Sequence, residues 1–359
     1  MGPLFLIRPR RGDAPRLDAV LNQALAGLDV REIGREEDLE NLQGRRLLFA
    51  LDLGEYGVNL AWSAMLERLR REPGLLEGCA AGMVVDARGE LYTKSAAREL
   101  AFAANRCGCA FVGKPLVEGT GSLTNFTVLA KLGGTDLMGA YRAAARELAL
   151  RVLDFKPPRY ERARLAVLHA SSHSTSNTMA LWKQIRKRVE PWCDITEVGL
   201  RNGVMVDCSG CPYQMCLHFG ERGGCFYGGV MVEEVYPALR GANAVVLLCP
   251  NYNDAVSANL TACVNRLTAL FRTTRFYDKA MFGIVVSGYS GGDIVAQQLI
   301  GALCMNKTFY LPPRAVMTET ANDAGAAMRL PGIQGRLDAF AGNLLKRLIQ
   351  PPQEAPGEE

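Results

Sequence analysis

Residues 170–178 read Ala-Ser-Ser-His-Ser-Thr-Ser-Asn-Thr, six hydroxyls, an imidazole and an amide between the apolar run Leu165-Ala-Val-Leu and a helical pattern starting near Met179. Hydroxyl and amide donors beside the unpaired backbone N–H groups of a helix N-terminus suit a phosphate. An ordinary polar turn with an N-cap needs one or two such residues, not six. Two further loops follow apolar runs: Cys249-Pro-Asn-Tyr-Asn-Asp-Ala-Val-Ser-Ala-Asn259 and Ser287-Gly-Tyr-Ser-Gly-Gly-Asp293. Amides, an aromatic face and glycines that admit close backbone approach fit a flat heteroaromatic ring with hydrogen-bonding edges. Each of these alone is only a turn.

A second set of chemically capable residues is Cys208, Cys211, Cys216 and Cys225, spaced C-x2-C-x4-C-x8-C in a glycine-rich stretch. Four thiolates can close a tetrahedral zinc site or hold an iron–sulfur cluster. Without metal they read as small buried residues or reactive thiols. The other seven cysteines, Cys79, Cys107, Cys109, Cys193, Cys249, Cys263 and Cys304, lie in apolar surroundings and read as small hydrophobes. No histidine and carboxylate pair marks any cysteine as a catalytic nucleophile, and no side chain stands out as general acid or base.

The elements that must position these loops are written twice. Residues 47–69 lie without a gap over residues 245–267, each an apolar strand run, a loop and a helical pattern ending in Arg-Leu. Leu4-Phe-Leu-Ile matches Leu165-Ala-Val-Leu, and Gly82-Met-Val-Val matches Gly283-Ile-Val-Val. Short β-branched runs alternating with amphipathic helices predict parallel sheets covered on both faces. The fold class is therefore α/β, two tandem doubly wound parallel-sheet domains, with ligands expected outside the carboxyl ends of the strands. The expected boundaries are a first domain over 1–153, a proline-paired linker over 154–163, a second domain over 164–350 and a disordered acidic tail over 351–359. Between Asp29/Asp194 and residues 47/245 the offset grows from 165 to 198, so the second copy carries 33 extra residues, about 203–235, which contain the four cysteines. Where the second copy has its hydroxyl run, the first has Arg8-Pro-Arg-Arg-Gly-Asp-Ala-Pro, with two prolines that remove donors. The first domain thus reads as degenerate.

Together the three loops resemble the NADPH-dependent FMN reductase family of flavodoxin-like proteins, over roughly residues 163–325. The family's opening Gly-Ser-Pro-Arg, spacer and Ser-Asn-Thr is similar to 170–178, its Ser-Pro-Val-Tyr loop to Cys249-Pro-Asn-Tyr252, and its glycine-rich loop to Ser287–Gly292. The resemblance implies that Ser171, His173, Ser174, Ser176, Asn177 and Thr178 hold the phosphate of FMN. Pro250, Asn251, Tyr252 and Asn253, with Ser287, Gly288, Tyr289, Gly291 and Gly292, would border its ring. Tyr252 and Tyr289 are then the nearest groups to hydrogen-bond it. His173 stands where the family carries arginine, exchanging a fixed cation for a group largely neutral at pH 7. Asn253-Asp254 replaces the bulky aromatic that follows the tyrosine. The cysteine spacing resembles a stretched form of the motif in iron–sulfur flavoproteins, implying a [4Fe–4S] cluster on Cys208, Cys211, Cys216 and Cys225.

The implied activity is an NAD(P)H-dependent flavin oxidoreductase that passes electrons through FMN to a small acceptor or to the cluster. An electron carrier reduced by a ferredoxin-type donor is the alternative, and a flavin-free scaffold binding zinc or a partner is the third reading. As relatives associate in dimers, the first copy would act as an internal pseudo-dimer partner, with Trp62, Tyr56, Tyr92 or loop 119–125 reaching the second site. A net charge of +4, scattered along 359 residues, offers no nucleic-acid surface. The apolar run Met1–Ile7 is too short for a signal peptide, and no stretch reaches the roughly 18 apolar residues of a spanning helix, so the sequence predicts a cytoplasmic protein without a membrane partner.

Overall fold

The computed structural model describes residues 2–10, 12–171 and 175–351. His173 and Ser174, predicted at the phosphate, and all but the first residue of the acidic tail lie outside these. Two compact units result: Met1–Lys156 with Ile300–Arg314, and Pro157–Leu299 with Ala315–Glu359. The expected linker straddles the break after Lys156, while the inclusion of Ile300–Arg314 in the first unit has no counterpart in the sequence reading.

The first unit contains β1 (Leu4–Ile7), α1 (Pro15–Ala24), β2 (Val30–Ile33), β3 (Arg46–Asp52), α2 (Leu60–Arg71), β4 (Ala80–Asp86), α3 (Thr93–Arg106), β5 (Ala110–Gly119), α4 (Thr127–Gly133) and α5 (Leu137–Leu153). Its strands form one parallel sheet in the order β2-β1-β3-β4-β5. Strands β3 and β4 are buried along nearly all their length because helices cover both faces. Gly82 in β4 lets α5 sit directly on the strand, since a Cβ there would come within 2.8 Å of Leu148. Ile300–Arg314 completes this unit: Phe111 and Leu311 exchange backbone hydrogen bonds at 2.9 Å, and Asn105 Nδ2 donates to Pro312 O at 2.6 Å.

The second unit contains β6 (Ala163–His169), α6 (Asn177–Val189), β7 (Cys193–Gly199), α7 (Tyr213–Glu221), α8 (Tyr236–Gly241), β8 (Ala244–Pro250), α9 (Ala258–Phe271), β9 (Ala280–Ser287), α10 (Gly292–Leu299), β10 (Val316–Thr320) and α11 (Ile333–Leu348). The parallel order is β7-β6-β8-β9-β10. Both sheets therefore have the 2-1-3-4-5 order of flavodoxin-like folds.

The register repeats as well. Leu4 faces Val30 and Arg46 across β1, and Leu165 faces Ile195 and Ala244 across β6. The match of Gly82 to Gly283 is off by one residue: Leu48 pairs with Gly82, whereas its counterpart Val246 pairs with Phe282. A one-residue slip exchanges the two faces of a strand, so Gly283 does not repeat the packing role of Gly82. The second core centres on Trp182, Ile185, Leu247, Phe282 and Leu344, all 1% exposed or less. Among the described residues no helix is long and apolar enough to cross a membrane.

Candidate functional site

The switch point of the second sheet lies between β6 and β8, where the crossover direction reverses and the carboxyl ends of the strands leave a crevice. A cavity of about 620 Å3 occupies this crevice. It brings together eight of the predicted residues: Ser171, Ser176, Asn177 and Thr178 from the first loop, Pro250, Asn251 and Tyr252 from the second, and Gly288 from the third.

At the first loop, α6 begins at Asn177, and Ser176 caps it, its Oγ accepting from Met179 N at 3.3 Å. Ser176 also lines the cavity, beside Ser171 and Thr175. Asn177 has another task. Its Nδ2 donates to Ala321 O and Asp323 O, at 3.1 and 2.9 Å, and its Oδ1 accepts from Ala327 N, so the side chain braces the loop after β10 instead of reaching a phosphate. Thr178 is 2% exposed, at the cavity floor.

The second and third loops are joined by Asn251, whose Nδ2 donates to Asp254 Oδ1 and Ser287 Oγ, each at 3.1 Å, and to Ser290 O at 2.9 Å. Gln298 holds the same loop from α10, donating to Asp254 O and accepting from Val256 N. The turn is tight: Asn253 and Asp254 have φ of 55° and 54°, left-handed values that asparagine and aspartate tolerate better than most residues. Of the predicted ring-bordering residues, Asn253, Ser287, Tyr289, Gly291 and Gly292 do not line the cavity. Ser287 is buried as an acceptor for Asn251, and Tyr289 is 81% exposed. Gly291, at φ 80°, is a spacing residue, since a Cβ there would meet Asp254 Oδ1 at 1.8 Å.

The sequence reading missed Asn202 and Asn322, which also line the cavity, as do Ser257 and Asn259 at the end of the second loop, which had not been singled out as site residues. Asn259 Nδ2 donates to Leu200 O and Asn202 Oδ1, at 2.8 and 2.9 Å, fixing the loop after β7 to the first turn of α9. The available signal was positional, since these residues follow β7, β8 and β10 at the same sheet edge. Among the described residues the lining carries no charged side chain. Two buried oxygens, Asn251 Oδ1 and Ser257 Oγ, have no hydrogen-bond partner there. Behind the first loop, burial holds His169 below the ordinary histidine value of 6.5.

The equivalent edge of the first sheet carries a smaller cavity, about 320 Å3, lined by Asp13, Asp52, Glu55, Tyr56 and Arg88 and, among the described residues, by no serine, threonine or asparagine. Arg16 forks onto the Asp86 carboxylate at 3.0 Å and donates to Ala87 O, Gly119 O and Gly121 O, and Tyr141 adds a hydrogen bond to Asp86 at 3.1 Å. Arg8 pairs with Asp18, and Arg10 with Glu32. The two arginines are thus engaged by carboxylates. Trp62 is 4% exposed in its own core and has no surface to offer another site, whereas Tyr56 and Tyr92 are exposed.

The four insertion cysteines line a separate cavity of about 200 Å3. Among the described residues no three histidine, cysteine, aspartate or glutamate side chains gather in a way that could hold a metal ion, so the expected zinc or [4Fe–4S] centre finds no ready ligand set. The seven other cysteines are buried, as their apolar neighbours predict.

Three solved structures illustrate the likeness. An FMN-dependent NADH-azoreductase from Bacillus anthracis, in complex with FMN, shares 11% identity over 51% of this chain and 99% of its own, with a TM-score of 0.37. An NAD(P)H:quinone oxidoreductase from Methanothermobacter marburgensis shares 10% over 55% and 100%, with a TM-score of 0.39. An NADH:FMN oxidoreductase in its apo form shares 15% over 53% and 92%, with a TM-score of 0.36. No curated protein matches the sequence. The model of the NADPH-dependent FMN reductase family matches residues 163–323, the span that contains the three loops and every residue lining the 620 Å3 cavity except Ala324. Over this span the second domain is similar to the NADPH-dependent FMN reductases.

Proposed function

We propose that the chain is an FMN-dependent NAD(P)H oxidoreductase whose second domain holds FMN at the β6/β8 switch point and passes electrons from a nicotinamide nucleotide to a small acceptor. The observation that carries this reading is the cavity itself. It joins the three motif loops at the carboxyl ends of β6, β8 and β9, and its volume of about 620 Å3 suits a ligand of this size.

The residues present fit the group. Ser171, Thr175 and Ser176 offer hydroxyl donors beside the N-terminus of α6, a favourable place for a phosphate. Asn251 Oδ1 and Ser257 Oγ offer unpaired polar oxygens to the N–H and carbonyl edges of a ring. FMN supplies the hydride and electron chemistry that these side chains lack. The chain binds and orients. Asn251, Gln298 and Gly291 hold the second and third loops at a fixed separation, and Tyr252, 64% exposed, stands at the mouth where an incoming reactant passes. With no charged lining residue among those described, phosphate recognition falls to neutral donors and the helix dipole.

Anaerobic mixing of the flavin-loaded protein with NADPH or NADH tests the reading. Bleaching of the flavin absorbance, followed by steady NAD(P)H oxidation when a quinone or other small acceptor is added, is the expected result. Reduction by a ferredoxin-type donor alone would favour an electron carrier, and failure to take up flavin would leave a scaffold without the cofactor.

A further inference from the structure

Asn177 is the first residue of α6, and it faces two ways. Its backbone N–H is among the first of the helix, which find no intrahelical partner, and it lines the cavity beside Ser171, Thr175 and Ser176. Its side chain reaches a stretch 144 to 150 residues further along the chain.

That stretch, 321–327, is a wall of the same cavity, which Ala321, Asn322 and Ala324 line. Little else holds it. Ala321 N donates to Ser287 O at 2.8 Å, which ties the start of the wall to the third loop. Among the described residues, 322–327 have no hydrogen bond to a distant part of the chain except those of Asn177. Asn322, Asp323 and Ala324 are exposed, between Ala321 and Ala327 at 8% and 0%. Asn177 grips both buried ends: Nδ2 donates to Ala321 O and Asp323 O, and Oδ1 accepts from Ala327 N at 3.2 Å. One amide thus uses both of its donors and an acceptor on the backbone of a single wall.

Helix ends fray, so the first turn is where α6 opens most easily. When that turn opens, the Asn177 side chain leaves the wall with it. An anion on the N–H groups of Asn177 and Thr178 favours the closed turn. A closed turn in turn holds the wall. The two ends of the cavity are then linked through one residue, with the first turn of α6 as the element that has two states.

We propose that Asn177 is a positioning residue that couples phosphate at the start of α6 to the wall 321–327, so that the phosphate end of a ligand sets the shape of the ring end. This inference rests on the flavin reading above. It makes the site select phosphorylated flavin over riboflavin by more than the phosphate contacts themselves, because the phosphate also prepares the wall. The coupling is reciprocal: a ring against the wall tightens phosphate by the same factor.

The test separates the two halves of the ligand, using inorganic phosphate and riboflavin on the full chain. In wild type, riboflavin should bind about fivefold to tenfold more tightly in saturating phosphate than in chloride of equal ionic strength. In Asn177→Ala that ratio should fall to about one, with phosphate still protecting the amides at the start of α6. Hydrogen exchange reads the same coupling without flavin and, in wild type, without any variant. Phosphate alone should slow exchange at 176–180 and at 321–330 in wild type, and only at 176–180 in Asn177→Ala. A merely structural role for Asn177 would lower riboflavin affinity equally with and without phosphate, leaving the ratio as in wild type, and would overturn the proposal. So would a wild-type ratio of about one, or wild-type protection that stops at 180. A protein that binds no riboflavin under any condition would sink the flavin reading alone, since the exchange measurement still decides the coupling.

Discussion

Asn251 Nδ2 donates to Ser287 Oγ at 3.1 Å, and through that bond the loop after β8 is tied to the end of β9. The same nitrogen holds Asp254 and Ser290, so one amide sets the separation of the two loops proposed to border the ring. Asn251→Ala should weaken FMN binding by about tenfold to a hundredfold, because it removes the shared donor and leaves its acceptors unpaired. Titration followed by flavin fluorescence gives the affinity, and the melting temperature of the flavin-free protein shows whether the loss is confined to the site. An unchanged affinity would mean that the loops hold their spacing without Asn251.

Ser176 has two roles at the start of α6, as helix cap and as a hydroxyl on the cavity. Ser176→Ala should cost about 1 kcal/mol of stability from the cap. It should also narrow the preference for FMN over riboflavin, since only FMN carries the phosphate. Comparing the two affinities in wild type and variant separates the roles. An equal loss for both ligands would mean that Ser176 acts through the helix alone.

Gly291→Ala places a methyl group 1.8 Å from Asp254 Oδ1, at a backbone φ of 80°. The third loop must move to accept it, at a cost of roughly 1–3 kcal/mol for the strained backbone alone. FMN affinity should fall with stability. Gly335→Ala on α11, where a Cβ meets nothing within 4 Å, is the matched control and should leave flavin binding intact.

His169 sits at the end of β6, 7% exposed, and burial keeps its folded-state value below 6.5. The folded state therefore resists protonation that the unfolded chain accepts. The stabilisation is present above the unfolded value of 6.5 and is lost as the pH falls through the lower folded value. Melting temperatures measured from about pH 7.5 down to about pH 5 should decline more steeply for wild type than for His169→Gln. Parallel curves would remove His169 from the acid response.

Arg16 and Asp86 pair at the carboxyl edge of the first sheet, with side-chain exposures of 25% and 4%. Asp86→Ala strands a partly buried guanidinium and should destabilise the first domain by about 2–4 kcal/mol, less than a fully buried pair because Arg16 retains some solvent. Chemical denaturation followed by circular dichroism should show this loss, with FMN binding by the folded protein unchanged.

Much of the architecture was legible because hydrophobic runs and offsets are global properties of a chain. The pairing of residues 47–69 with 245–267 returns as β3 with β8 and α2 with α9, down to their first residues at an offset of 198. The one-residue error at Gly82 arose because similar apolar runs align equally well in either register, and only the partner strand decides the face. The first loop stood out in the sequence because six hydroxyls exceed what a cap needs, and Ser171, Thr175, Ser176 and Thr178 from it line the cavity. Asn202 and Asn322 were not legible, since a lone amide in a loop carries no local signal until the sheet gathers the strand ends. Asn177 was assigned to phosphate from its neighbours in sequence, whereas its partners lie near residues 321–327. The inclusion of Ile300–Arg314 in the first unit rests on long-range contacts such as Asn105 with Pro312, which no local pattern announces.

The central claim is that the cavity between β6 and β8 holds FMN. Its most direct test is the flavin released on denaturation from freshly purified protein, identified by chromatography against FMN, FAD and riboflavin standards and expressed per chain. The account predicts FMN at close to one per chain, or stoichiometric uptake of FMN by protein recovered without it, with both reduced in Asn251→Ala. A colourless protein from a flavin-replete host that fails to bind added FMN would contradict it.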